Sequence, residues 1–170
     1  HLSRRQNGLD LGMTLRHQGR TLRADELGRT LADPTSKVCV FVHGLSATEW
    51  SWVLYADQAW GDVSTCYATK LQEELGYTPI FVRYNSGRHV SENGRALSDL
   101  IGEVCHAYPV QIEDLALVGH SAGGLVARSA AHDGRRAEAA WVKQLRHVFC
   151  IGSPHLGAPL AKGAHLLSAI

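Results

Sequence analysis

The sequence predicts an α/β protein, a mostly parallel sheet with helices on both faces. Three observations carry that expectation. Short apolar runs rich in β-branched residues recur as "KVCVFVHG", "TPIFVRYN", "IEDLALVGHS" and "RHVFCIGSPH". Segments with helical periodicity lie between them. The runs end in glycine, histidine, serine or asparagine, the residues that collect where the strands of a parallel sheet open into loops.

Taken in order, residues 1–36 are the least regular part and are expected to form a strand and helix extension packed on a core domain of 37–170. Within the extension, "LGMTLRHQGRTL" alternates weakly, as an edge strand or hairpin does. "ADELGRTLADPTS" reads as a short helix ending near Pro34. "KVCVFVHG" has the composition of a strand covered on both faces, and the other three runs read the same way. "STCYATKLQEELGY" predicts a helix closed by Gly76 in a left-handed cap. After "YNSGRHV", Ser91 is placed to cap a helix and Glu92 suits its positive end. Leu97, Leu100, Ile101, Val104, Cys105 and Tyr108 then recur at helical spacing until Pro109 stops the run. "AGGLVARSAAHDG" predicts a helix ended by Gly134, and "AEAAWVKQL" a second short one. Strands alternating with helices form βαβ units, so "HGLSATEW", "RYNSGRH", "GHSAGG" and "GSPHLGAP" all rise on one crest, at the strand C-termini.

Composition removes several function classes. Of 170 residues, 45% are hydrophobic and 19% charged, an ordinary globular mixture. A formal net charge of +1 gives no bulk electrostatic case for nucleic acid or an anionic membrane. No apolar run approaches the roughly 18–20 residues of a transmembrane helix, which leaves only peripheral membrane contact open. "HLSRRQNGLDLG" has basic residues but no apolar h-region behind them. The compartment is not fixed by these features, with the cytoplasm slightly favoured. Cys39, Cys66, Cys105 and Cys150 lack metal-ligand spacing and are expected to be free thiols. No His/Asp/Glu cluster has metal spacing either, and no cofactor is implied.

The chemistry is concentrated in Gly119-His120-Ser121-Ala122-Gly123, a GxSxG word between a strand and a helix. Side chains two residues either side of a nucleophile on so sharp a turn would collide, and glycine removes the collision. Ser121 is the expected nucleophile, and the Ala122 amide, at the start of the next helix, one oxyanion donor. His43-Gly44 ends an earlier strand, the usual source of the second donor; Leu45 supplies that amide, with Gly44 letting the loop turn in close. A phosphate-binding reading fails because neither GxxxxGK[ST] nor GxGxxG is present.

Read together, "VFVHGLSATEWSW", "VRYNSGRHVSENGRAL", "LALVGHSAGGLVARSA" and "CIGSPHLGAPLAKG" resemble a family of α/β-hydrolase-fold serine esterases. The resemblance is greatest to bacterial lipase-like members related to GPI inositol-deacylases, and it spans roughly residues 37 to 163. It implies cleavage of a small-molecule or lipid carboxylic ester through an acyl-enzyme on Ser121, with Leu45 and Ala122 as oxyanion donors. The family's triad runs Ser, then Asp or Glu, then His on later strands. The chain ends at Ile170 before such strands, so the expectation is the N-terminal part of a longer hydrolase whose acid and base lie outside it. Acyl transfer at the same serine, or a hydrolase-like scaffold without turnover, are the alternatives.

Several residues are candidates for shaping the site. His155, on the crest in "GSPHLGAP", is the best of the ten histidines for a base, though the resemblance gives it a loop-shaping role. His120 is expected to pack away from the nucleophile, His43 to hold the oxyanion loop by hydrogen bonding, and His89 to stand on the rim. Asp133, Asp114 and Glu113 are at the wrong ends of their elements to serve as the acid. Trp50 and Trp52 either floor an acyl pocket or belong to the core. The tail "GAHLLSAI" is either the start of a lid or a core helix.

Overall fold

A computed structural model describes residues 12–157; the "GAHLLSAI" tail and most of the N-terminal "HLSRRQNGLDLG" lie outside them. Strands β1 (Thr14–His17) and β2 (Arg20–Leu22) form a hairpin with Leu15 opposite Leu22 and His17 opposite Arg20. Its two-residue turn has φ of 47° at Gln18 and 80° at Gly19, the positive pair whose twist matches that of the strands. A 3₁₀ turn at Ala24–Glu26 leads into helix α1 (Leu27–Thr30), which stops at Leu31, earlier than the expected end near Pro34. Then come β3 (Lys37–Val42), a 3₁₀ turn at Glu49–Val53, α2 (Ala56–Trp60), α3 (Tyr67–Leu75) and β4 (Thr78–Arg83). Helix α4 (Val90–Ala107), β5 (Asp114–His120), α5 (Ala122–Arg136), a 3₁₀ turn at Ala140–Lys143 and β6 (Leu145–Ile151) complete the described order.

The six strands make one sheet in the order β2-β1-β4-β3-β5-β6. The last four are parallel, with Val40 opposite Ile80 and Leu117, while β1 runs antiparallel to both neighbours. Helices lie on both faces, as the α/β pattern requires. Alternation along β3 feeds two cores. Val38, Val40 and Val42 join Ile80, Leu97, Ile101, Leu115 and Val126 beneath α4 and α5. Cys39 and Phe41 face the other way, onto Trp52, Cys66, Ala68 and Tyr77. Phe41 sits 5.0 Å edge-on from Trp52 and 5.2 Å stacked from Phe81, which places Trp52 in the core. All four cysteines are free thiols.

Several expectations are corrected by tertiary contacts. The cap of α4 is His89, so Ser91 lies inside the first turn. Gly134 does not end α5, which runs on to Arg136; its missing Cβ leaves room for the Trp141 indole. "AEAAWVKQL" forms only the 3₁₀ turn that brings that indole in. The apolar β6 is not buried on both faces: Phe149 is 51% and Ile151 42% exposed, because β5 is its one neighbour among the described strands. Among the described residues no helix is long and apolar enough to cross a membrane.

Gly94 of α4 shows how closely α4 and α5 approach. A Cβ there would lie 3.0 Å from the Ser129 carbonyl carbon and nearer still to its side chain. Alanine would add about 1 kcal/mol of helix propensity, but overpacking against backbone costs about 1–3 kcal/mol. Gly94→Ala is therefore expected to be destabilised, read as a lower urea midpoint at unchanged slope.

Candidate active site

Ser121 stands between β5 and α5 with φ 53° and ψ −123°, a conformation that side-chain-bearing residues rarely adopt. Holding it costs about 1–3 kcal/mol, so the surroundings must over-determine it. Its N–H donates to the Ile151 carbonyl at 2.8 Å, and its own carbonyl accepts from the Gly124 N–H at 3.2 Å. A Cβ on Gly119 would overlap Gly124, and one on Gly123 would overlap the carbonyl oxygens of Val42 and His43. The glycines of the GxSxG word thus let strand, turn and helix close on one another.

The loop after β3 comes against this turn. A Cβ at Gly44 would lie 3.1 Å from the Ser121 Cβ and 3.3 Å from the His120 carbonyl oxygen, which only glycine tolerates comfortably. His43, at 0% exposure, anchors the loop from below. Its Nδ1 meets the Gly44 carbonyl oxygen at 2.9 Å, and its Nε2 meets the Tyr84 N–H at 3.3 Å. A carbonyl demands a proton and an amide demands a lone pair, so these partners assign the neutral tautomer with the proton on Nδ1. The Tyr84 ring stacks on the imidazole at 4.4 Å, and its hydroxyl donates to the His43 carbonyl at 2.8 Å. Burial pushes the His43 pKa below its ordinary value, and the bond to Gly44 only partly opposes it.

Leu45 is exposed, and its amide, like that of Ala122, has no acceptor among the described residues. Ser46, with φ 53°, donates its N–H to the Ser86 hydroxyl at 2.9 Å. His120 is exposed at the end of β5, its ring 6.3 Å edge-on from Trp52. Trp50 is also exposed, and its ring edge lies over Gly19 at the hairpin turn. His89 caps α4 at the rim.

His155 lies at the exposed end of the described chain. Its Nδ1 faces the Arg128 Nη1 at 3.0 Å. A guanidinium only donates, so Nδ1 accepts here, whereas a triad histidine directs an Nδ1 proton at a carboxylate. Among the described residues no histidine is hydrogen-bonded to a carboxylate. Asp114 begins β5, and Asp133 sits in the last turn of α5. No group of His, Cys, Asp and Glu among the described residues could hold a metal ion.

Three residues of this neighbourhood went unmarked by sequence reasoning: Tyr84, Ser86 and Glu49. Tyr84 extends the apolar run of β4, which hides its polar role, and Ser86 sits in a glycine-rich loop where serine is unremarkable. Glu49 is buried among charges from distant strands, and no local periodicity reveals it.

Because its folded pKa lies below the unfolded value, His43 contributes stability that is complete above about pH 6.5 and is lost as pH falls toward the depressed folded pKa. The unfolding temperature of the protein should therefore drop between pH 7 and 5, and the slope should be shallower in His43→Gln, which cannot take up a proton. Equal slopes would mean that His43 protonates as freely folded as unfolded.

Comparison with known proteins bears on the fold and the family. The described fold matches the lipase BlEst2 of Bacillus licheniformis in its mature form with a TM-score of 0.58 and 24% identity, over 80% of this chain and 48% of that one. The propeptide form matches with a TM-score of 0.59 and 24% identity, over 79% of this chain and 26% of that one. The chain thus spans about half the length of the mature lipase, 48%, and likeness at this identity establishes the fold. No curated protein sequence matches the chain. The model of the PGAP1-like alpha/beta domain family matches residues 35–169, nearly all of the crest-bearing core. The chain, with its mostly parallel sheet and lipase-like α/β-hydrolase architecture, belongs to that family.

Proposed function

We propose that the chain carries the nucleophilic half of a serine hydrolase that cleaves carboxylic esters, with acyl-lipid esters as the substrate class. The observation that carries this reading is the Ser121 backbone, φ 53° and ψ −123°, with the Gly44 loop packed against it. A strained residue persists only where its surroundings hold it, and a turn this tight has little structural use for a serine. The lipase named among the similar structures supports an ester as substrate.

In this reading the Ser121 Oγ attacks the ester carbonyl carbon while its proton passes to a histidine. The carbonyl oxygen gains the negative charge and is held by the Leu45 and Ala122 amides, which have no other acceptor among the described residues. Collapse expels the alcohol, which takes the histidine's proton and leaves an acyl-serine. Water then attacks that acyl group with the same histidine as base, and the carboxylic acid departs. The base and its acid belong, on this reading, to the part of the fold that the chain, at 48% of the mature lipase, does not span, in keeping with the Arg128 contact that occupies His155. His43 and Gly44 shape the oxyanion loop, and His120 and Trp50 border the crest.

A fluorophosphonate probe tests this on a longer protein carrying the later strands, on the 170-residue chain alone, and on Ser121→Ala in each. Labelling is expected in the longer protein only and is abolished by Ser121→Ala. Labelling of the short chain would assign the base within it, His155 first. A folded but unlabelled longer protein would leave a binding scaffold. Where labelling occurs, product analysis with and without added alcohol separates hydrolysis from acyl transfer.

A further inference from the structure

The segment carrying the Leu45 amide has almost no hydrophobic hold. Leu45 is 63% exposed, and between Gly44 and Glu49 no side chain is buried. An oxyanion donor nonetheless has to be held within a fraction of an ångström of its productive place. Polar ties must supply that hold. One end of the loop is fixed by His43 on Tyr84, and the middle by the Ser46 amide on the Ser86 hydroxyl.

Glu49 forms the other end. Its carboxylate accepts from Arg83 through both Nε and Nη2, each at 2.6 Å, and from the Arg16 Nε at 2.9 Å. The side chains of Glu49 and Arg16 are 7% and 10% exposed, so the contact is shielded from water and salt. Arg16 is itself fixed, by Thr21 at 2.5 Å and by the Gly19 carbonyl in the hairpin turn. A bidentate guanidinium sets the plane of the carboxylate as well as its position. Burial opposes ionisation of Glu49, but the bonds from Arg83 and Arg16 outweigh it and keep its pKa below the usual carboxylate range.

We propose that Glu49, gripped by Arg16 and Arg83, is a positioning residue that fixes the 43–49 loop and so aims the Leu45 amide at the oxyanion that forms on the ester attacked by Ser121. The catalytic part of this inference rests on the hydrolase reading above. It makes the β1–β2 hairpin part of the catalytic apparatus, because Arg16 reaches the loop from β1. A carboxylate that merely neutralised two arginines would affect stability without singling out turnover.

The test uses the longer, ester-hydrolysing protein with Glu49→Gln, Glu49→Ala and Arg16→Met. It reads kcat and KM on a p-nitrophenyl ester, together with amide hydrogen exchange along the chain. Removing one oxyanion donor costs on the order of a hundredfold or more in kcat, so Glu49→Ala should lose about a hundredfold and Glu49→Gln, which keeps one acceptor oxygen, about tenfold. KM should stay within about threefold, since the ground-state ester does not yet carry the oxyanion charge. Exchange should quicken at the Ser46 and Ala47 amides while β5 and α5 stay protected. Arg16→Met should act in the same direction, more weakly and not additively with Glu49→Gln.

Unchanged kcat and unchanged loop exchange in folded Glu49→Gln and Arg16→Met would overturn the proposal. So would losses in kcat that track a general rise in exchange across the sheet. If Glu49→Ala does not fold, the other two variants decide. If the unsubstituted protein shows no Ser121-dependent turnover, the hydrolase reading fails. The exchange arm then decides alone whether Glu49 holds the loop: quickening confined to residues 44–48 supports it, and none overturns it.

Discussion

The contact on which the rest of the site depends is the one between the β3 carbonyls and the first turn of α5. Gly123 lies so close to the carbonyl oxygens of Val42 and His43 that no Cβ fits between them. That approach brings the end of β3 beside the end of β5, and with it the Gly44 loop beside Ser121. It also explains why two distant sequence words, HG and GxSxG, act as one. The strained Ser121 backbone is the consequence, held in place by the Ile151 carbonyl on one side and Gly124 on the other.

Much of this was legible in the sequence because it depends on local rules. The β3 run reads as a doubly covered strand, and both of its faces are indeed filled, by Val38, Val40 and Val42 on one and Cys39 and Phe41 on the other. Gly76 closes α3 in the left-handed conformation that only glycine adopts freely. The glycines around Ser121 announce a tight turn because no other residue fits there. Free thiols follow from cysteines widely spaced along the chain, with Cys39 and Cys150 set in apolar runs. What was misread depends on partners remote in sequence. Gly134 looks like a helix stop, yet Trp141 fills the space over it and α5 continues. β6 has the composition of a central strand but stands at the edge of the described sheet, and composition alone cannot tell an edge from a centre.

The electrostatics divide along the same line. His43 was expected to hold its loop by hydrogen bonds, an inference from its place after a strand, and its two ring nitrogens are both engaged. That engagement also removes it as a base, since Nε2 is committed to the Tyr84 amide and Nδ1 to a carbonyl. His155 stands on the crest where a base would be sought, but Arg128 donates to the nitrogen that a triad acid would address. Both histidines are thus occupied by neighbours that no spacing rule could supply.

On the proposed hydrolase reading, a rigid Ser121 turn alone is not enough, because the charge of the transition state develops on the substrate's oxygen rather than on Ser121. Preorganisation has to extend to the opposite loop, and there the chain uses different physics. The Ser121 turn is fixed by steric closure, with glycines meeting backbone. The facing loop is too exposed for packing to hold it and too short for a ladder of its own, so it is tied by a buried imidazole at one end and a buried carboxylate at the other. The Glu49 carboxylate is shielded well enough to be expensive to leave unpaired, so a displaced loop would have to break its bonds to Arg16 and Arg83. That penalty resists displacement of the loop, and this is how an exposed segment can be as well placed as a strand.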